Sequence, residues 1–97
     1  MHKGPAQQEM EARLAAAFPS AVITLTNDSA KHRGHVGDDG SGESHFSLHL
    51  VWAGFAGQTR VARQRAVNTA LRGIAGDRVH ALAMKTETPQ EAAGSGV

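Results

Sequence analysis

The sequence predicts a small α/β (α+β) domain in which helices cover a mixed sheet of three strands. Two observations lead to this prediction. Apolar residues recur at helical spacing in two segments, and three short stretches between and after them are rich in β-branched or alternating apolar residues. The 97 residues suffice for one such domain, because a chain of this size buries roughly two thirds of the surface that it exposes when unfolded.

The first helix is predicted from about Ala6 to Phe18. Met10, Leu14 and Phe18 recur every four residues among polar and small neighbours, which is typical of a helix that buries one face. Pro19 then ends the helix, because proline cannot continue the hydrogen-bonded ladder. The β-branched and apolar residues of segment 21–26 predict the first strand.

A long loop is predicted between Asp28 and Glu43. It contains four glycines and two adjacent aspartates, a composition that disfavours regular structure. Loops longer than about 12 residues are uncommon in compact domains and are often functional, so the length adds weight to a binding role. The other interpretation is a flexible tip that carries incidental histidines.

The second strand is predicted to start near Ser44, and it alternates over its whole length. One face is predicted to pack on the core, and the other to be mostly polar. The two sets are Phe46, Leu48, Leu50 and Trp52 on the core face, and His45, Ser47, His49 and Val51 on the polar face.

The rest of the chain predicts a helix from about Thr59 to Ala75, ended by Gly76, and a third strand over about 78–86. A short helical turn is expected within Pro89–Val97. The resulting order is α-β-β-α-β. We expect the first two strands to pair antiparallel and the helical crossover to make the last two parallel. Residues 1–97 are predicted to form a single domain with an ordered core of about 6–88 and frayed ends at 1–5 and 92–97.

Composition restricts the classes of function. The chain contains no cysteine, which excludes disulfides, a thiol nucleophile and a thiolate metal site of its own. The net charge of +1 is too small to indicate nucleic-acid binding by overall charge. No apolar run approaches the roughly 20 residues of a membrane-spanning helix, and no secretory signal opens the sequence, so a cytoplasmic protein that does not enter membranes is expected.

Histidine distribution is the main functional signal. Four of the six histidines, His32, His35, His45 and His49, lie between residues 28 and 50, and His80 stands in the segment RVHALAM. Neutral imidazole is a common metal ligand, but two histidines alone make an incomplete metal site, which could be half of one shared with a partner. His45 and His49 share a strand face without being placed to share one ion. The alternative is that these histidines occupy ordinary loop and strand positions. This interpretation, a residue of the sheet surface or one covered by a helix, is favoured for His49 and less so for His45, which stands at the loop junction.

The second predicted helix is basic. Arg60, Arg63, Arg65 and Arg72 could contact phosphates as a helix-turn-helix-like segment over 55–72. The alternative for Arg63 is that its stem lies on the core and its guanidinium pairs with a carboxylate. No nucleophile motif accompanies the serines, and Asp38 and Asp39 are interpreted as solvated loop residues, so the chain is not predicted to be an enzyme.

Taken together, the segments LAAAFPSAVITLTNDS, GESHF, FAGQTRVARQRAVNTAL and VHALAMKTETPQE resemble the BolA family over almost the whole chain. The resemblance implies a class II KH-like fold and a non-enzymatic role as partner of a monothiol glutaredoxin. The pair would hold or deliver a bridging [2Fe-2S] cluster in iron-sulfur trafficking or regulation. The family is also associated with DNA-binding transcriptional regulation and with the stress response, which is the alternative function.

Carried over to this chain, the resemblance implies that His80 and the loop residue His35 are the ligands, with His32 as second choice and His45 in a supporting role. The glutaredoxin and its glutathione would supply thiolates, and no cofactor is expected to stay tightly bound to the isolated chain, which we expect to be a monomer or weak dimer. Gln64 stands where relatives often carry histidine, which puts any function of that helix histidine in doubt. A third hypothesis is an adaptor whose loop changes charge as its histidines titrate.

Overall fold

The computed structural model describes residues 4–29, 43–75 and 79–95 of the chain. The elements, in chain order, are α1 (Pro5–Ala17), β1 (Val22–Asn27), β2 (His45–Val51), a short 3-10 helix (Ala53–Phe55), α2 (Arg60–Ala70), β3 (Ala81–Glu87) and α3 (Pro89–Ser95). This is the predicted order, with a short helix added at the end. No described helix combines the length and the apolar character that a membrane crossing requires.

The three strands form one mixed sheet in the order β1-β2-β3. β1 pairs antiparallel with β2, with Leu25 opposite Leu48, and β2 pairs parallel with β3, with His45 opposite Ala81. Both predicted relations are therefore confirmed. The mixed α+β architecture is the predicted fold class, and its topology is compatible with the KH-like description.

The core lies between one face of the sheet and the helices. Its fully buried members come from every layer, because α1 and α2 each present one apolar face toward the strands. They are Met10, Leu14, Leu50, Phe55, Val67, Leu71, Ile74 and Val79. The alternation predicted for β2 is confirmed, since Phe46, Leu48 and Leu50 are buried while the residues between them are half-buried.

The second helix is shorter than predicted. α2 starts after Thr59, whose hydroxyl accepts a hydrogen bond from the Ala62 N–H at 3.1 Å, but it ends at Ala70 and not at Ala75. The chain then turns through Gly73, whose φ of +87° is a left-handed conformation that glycine adopts readily. Leu71 and Ile74 remain fully buried in this turn, so the apolar spacing continues where the helix does not. Gly76, the predicted terminator, lies outside the described residues.

The third strand and the tail also differ from the prediction. β3 begins at Ala81 and not at 78, and His80 immediately precedes it. The expected helical turn of the tail is a helix, α3, that continues to Ser95, while α1 already starts at Pro5. Helical structure therefore extends into both segments that were predicted to be frayed, 1–5 and 92–97.

Candidate functional site

His45 and His80 lie together at one end of the sheet. Parallel pairing places His45 opposite Ala81, so the residue before Ala81 comes beside the start of β2. The two imidazole rings are 5.5 Å apart between centroids and inclined at 54°. The pairing of strands, and not sequence proximity, therefore assembles two of the predicted residues at one place.

A buried serine network fixes the backbone at this point. The Ser29 hydroxyl accepts hydrogen bonds from the N–H groups of Ser44 at 2.8 Å and His45 at 3.1 Å. The N–H of Ser29 in turn donates to Asn27 Oδ1 at 2.9 Å. This network joins the end of β1 to the start of β2 beside His45.

The two imidazoles differ in their partners. His45 Nδ1 lies 2.9 Å from the Ser44 hydroxyl, which orients the ring. His80 is exposed, and within the described structure its ring contacts His45 but forms no hydrogen bond or ion pair. A solvent-accessible imidazole with no competing bond can accept a metal ion or an external donor.

The loop ligands predicted from the sequence, His35 and its competitor His32, both lie outside the described residues. Across 4–29, 43–75 and 79–95, no three histidine, aspartate or glutamate side chains form a group that could hold a metal ion alone. The donor set of the described residues, one imidazole without a hydrogen bond beside a second imidazole held by a serine, fits partial ligation of a centre shared with another molecule.

His49 takes no part in this pair. Its Nε2 lies 2.7 Å from Glu87 Oε1, and Lys85 Nζ lies 3.8 Å from the same oxygen. The Glu87 side chain is only 10% exposed, so the contact holds a largely buried carboxylate. This agrees with the interpretation of His49 as a residue of the sheet surface.

Arg63 has the structural role that was one of its two predicted alternatives. It is buried, its guanidinium lies over the Phe55 ring at 5.6 Å, and it donates to Glu91 Oε1 at 2.6 Å and to the backbone oxygens of Gln58 and Thr86. The hydrogen bond that Arg63 donates to Glu91 raises the pKa of Arg63 against an opposing effect of burial. Hydrogen bonds from Arg63 and from the Thr88 N–H lower the pKa of Glu91 to about 2. Arg63 is therefore unsuited to contact phosphates.

The remaining basic residues of segment 55–72 are exposed but do not share one face. Arg60 and Arg65 are five positions apart on α2, which separates them by about 140° around the axis. Arg72 lies beyond the end of α2, and its carbonyl oxygen accepts a hydrogen bond from Arg13 at 2.5 Å. A continuous basic stripe is thus not formed by these three side chains.

Sequence reasoning missed two contacts that organise the molecule. Ser29 has no role in the sequence-based predictions, yet its hydroxyl connects the end of β1 to the start of β2. Glu91 was not considered, although a carboxylate two residues after Pro89 in a predicted helical turn is a recognisable signal, because acidic side chains cap helix starts. Glu91 Oε1 indeed accepts the Thr88 N–H at 2.8 Å, while the Thr88 hydroxyl accepts the Glu91 N–H at 3.1 Å.

Comparison with known proteins gives consistent results. The family model described as BolA-like protein matches residues 14–91. The chain is 40% identical over 85 residues to an "uncharacterized protein in cobS 5'region" from Sinorhizobium sp, covering 87% of this chain and 91% of that protein. It is 36% identical over 85 residues to the "DNA-binding transcriptional regulator BolA" of Vibrio cholerae, covering 88% and 76%. The solution structure of BolA1 from Mus musculus superposes with a TM-score of 0.79 at 33% identity, covering 98% and 74%.

The structure is that of a small α/β unit built on one mixed three-stranded sheet. The chain belongs to the BolA-like family. The predicted family membership is therefore confirmed, whereas the predicted ligands, cofactor and partner stay predictions.

Proposed function

We propose that this protein is a non-enzymatic partner of a monothiol glutaredoxin and contributes histidine ligands to a bridging [2Fe-2S] cluster. The observation that carries the proposal is the exposed His80 ring beside His45, at the end of the sheet where segment 30–42 is anchored. Family membership supports the same role.

His80 is the first proposed ligand because it is accessible and has no hydrogen bond to another described side chain. His35 is the proposed second ligand, and His32 is the competitor. Both belong to a segment whose two ends, Ser29 and Glu43, lie on described structure: Ser29 binds the His45 N–H, and the Glu43 carboxylate accepts the N–H of Gln7 at 3.0 Å.

The absence of cysteine determines which ligand types this chain can supply. This chain can offer only imidazoles and carboxylates, so thiolates must come from the glutaredoxin and its glutathione. Imidazole in place of thiolate raises the reduction potential of a [2Fe-2S] cluster when bound. The serine bond to His45 Nδ1 would keep that ring oriented beside the ligands, which makes His45 a positioning residue in the proposal.

The test is anaerobic reconstitution of the chain with a monothiol glutaredoxin and glutathione, followed by size-exclusion chromatography, visible circular dichroism and electron paramagnetic resonance of the reduced sample. We expect a complex with a spectrum different from that of the glutaredoxin alone. His80→Ala and His35→Ala should each change that spectrum, and the double variant should return it to that of the glutaredoxin.

His49→Ala is the matched control, since this histidine lies on the same strand as His45 but is bonded to Glu87. It should keep the wild-type spectrum. His32→Ala decides the loop ligand: a larger effect than that of His35→Ala would replace His35 by His32. A spectrum and a complex that are the same for wild type and the His35→Ala, His80→Ala double variant would refute the ligand proposal.

A second candidate is a DNA-binding regulator, because the Vibrio cholerae relative is named a DNA-binding transcriptional regulator. The exposed side chains for this role are Arg60, Arg65 and Arg72, and Arg63 is left out because Glu91 and the backbone engage it. Phosphate contacts release counterions, so affinity should fall as salt rises.

Fluorescence anisotropy with duplex DNA at several salt concentrations tests this candidate. Each alanine substitution of a contacting arginine should reduce the salt slope by about one, uniformly across DNA sequences. Lys85→Ala, which removes a cation of β3, should leave the slope unchanged. Absence of binding at low salt would eliminate the candidate.

A further inference from the structure

The outer edge of β3 carries open backbone hydrogen-bonding groups. The Ala81 N–H donates to Ser44 O at 3.0 Å, and Glu87 O accepts the Trp52 N–H at 2.9 Å, so both residues turn their backbone toward β2. Backbone groups of successive residues in a strand point to opposite sides. Leu82, Met84 and Thr86 therefore direct their N–H and C=O groups away from the sheet.

Only one of these outward groups has a partner within the described structure. Arg63 Nη1 donates to Thr86 O at 3.2 Å, which independently shows that this carbonyl points outward. The N–H of Thr86 and both groups of Met84 and Leu82 have no hydrogen bond to described residues. An edge with unpaired donors and acceptors in alternation is a template for another strand.

A groove runs along this edge between the start of α2 and α3. We call it the β3 groove; its volume is about 750 Å³. Its walls and floor are formed mainly by Gln58, Arg60, Arg63, Met84, Thr86 and Glu91. A peptide strand that pairs with β3 would point every second side chain toward the helices, and the groove provides space for those side chains.

The charges around the β3 groove favour an acidic occupant. Both of its carboxylates already have partners in this chain, since Glu91 pairs with Arg63, and Glu87 lies 2.7 Å from His49 Nε2 and 3.8 Å from Lys85 Nζ. Arg60 is exposed and bonded to no described residue, and the side chain of Lys85 is 62% exposed. An acidic residue opposite Lys85 would form a cross-strand pair on the open face of the sheet.

We propose that the outer edge of β3 binds an extended acidic peptide segment of a protein partner, which joins the sheet as a fourth strand. A nucleic-acid strand fits less well, because a phosphodiester backbone offers acceptors but no donors for the carbonyl groups of Leu82 and Met84. The proposal is independent of the histidine site at the other end of β3.

The test is selection of the full chain against a library of random peptides about nine residues long, enough to span β3. We expect enrichment of peptides that carry Asp or Glu at alternate positions. Backbone amide signals of Leu82, Met84 and Thr86 should shift and become protected from hydrogen exchange when an enriched peptide binds.

Thr86→Pro is the decisive variant, because it removes an outward N–H while the hydrogen bonds between β2 and β3 stay intact. It should lower the affinity of the enriched peptides by about tenfold or more, through the lost bond and the clash of the ring. Thr86→Val, which keeps the N–H and the branched shape, is the matched control and should bind as wild type. Thermal unfolding of both variants verifies that they fold.

Arg60→Glu provides a second measurement at an exposed position that forms no hydrogen bond or ion pair with a described residue. It should weaken acidic peptides and strengthen peptides in which lysine replaces glutamate. Equal affinity of the two Thr86 variants would overturn the proposal. So would failure to enrich any peptide, self-association that Thr86→Pro abolishes without peptide enrichment, or displacement of the peptide by a single-stranded oligonucleotide that shifts the same amides.

Discussion

Two ionisable side chains, one beside each end of β3, differ in burial and in hydrogen bonding. At the C-terminal end of β3 the buried guanidinium of Arg63 is bonded to Glu91 and to two backbone oxygens. At the N-terminal end the imidazole of His80 is exposed and forms no hydrogen bond to any described residue. A buried group with several hydrogen bonds stabilises the fold, whereas an exposed group without bonds adds little to it and is available to bind. The contrast indicates which of these two ionisable groups is structural and which is available as a ligand.

Removing the Arg63 guanidinium should have the largest effect on stability. Arg63→Met keeps an apolar stem against Phe55 but leaves Glu91 and the backbone oxygens of Gln58 and Thr86 without their donor. We expect the midpoint of urea denaturation to fall more than for any other variant considered below. Arg65→Met, an exposed change on the same helix, is the control and should stay within about 0.5 kcal/mol of wild type. Equal midpoints for the two variants would contradict a structural role.

Acid should weaken the same end of β3. The pKa of Glu91 is lowered from 4.5 to about 2 in the folded protein, chiefly by its hydrogen bond to Arg63. Such a carboxylate adds stability that is complete above the unfolded pKa and is lost as pH falls from about 4.5 toward 2. Urea midpoints measured across this window should decline for wild type. Glu91→Gln should be less stable at neutral pH and should show a shallower decline, and parallel curves would argue against the pairing.

The Ser29 hydroxyl should contribute to stability at the histidine end of β3. Ser29→Ala leaves the buried N–H groups of Ser44 and His45 without their acceptor, which should cost about 1–3 kcal/mol in the free energy of unfolding. The chemical shifts of the His45 ring should change as well. Thr24→Ala, an exposed position of β1, should change neither quantity. A neutral Ser29→Ala would mean that water replaces the hydroxyl.

The architecture could be predicted from the sequence because apolar residues repeat every 2 residues in strands and every 3.6 residues in helices. These repeats determine which side chains can be buried on one face. The alternation of β2 is the clearest case. The end of α2 was misplaced because Leu71 and Ile74 continue the helical spacing while Gly73 turns the chain, and burial alone does not distinguish the two conformations.

The candidate site depended on long-range geometry that no local pattern contains. His45 and His80 meet because β2 and β3 pair with His45 opposite Ala81, and a shift of this register by one residue would move every side chain of β3 to the other face. That Arg63 binds a carboxylate was foreseeable from its position near the apolar stripe. Its partner Glu91, 28 residues away, was not.

The smallest effect on stability is expected where the effect on function is expected to be largest. His80→Ala removes an exposed ring whose only described contact is with His45, so the free energy of unfolding should change by no more than about 0.5 kcal/mol. The same variant should lose the altered spectrum of the glutaredoxin complex. Unfolding and reconstitution measured on one preparation separate the two quantities. A large loss of stability would instead make His80 a structural residue, and the contrast between the two ends of β3 would no longer hold.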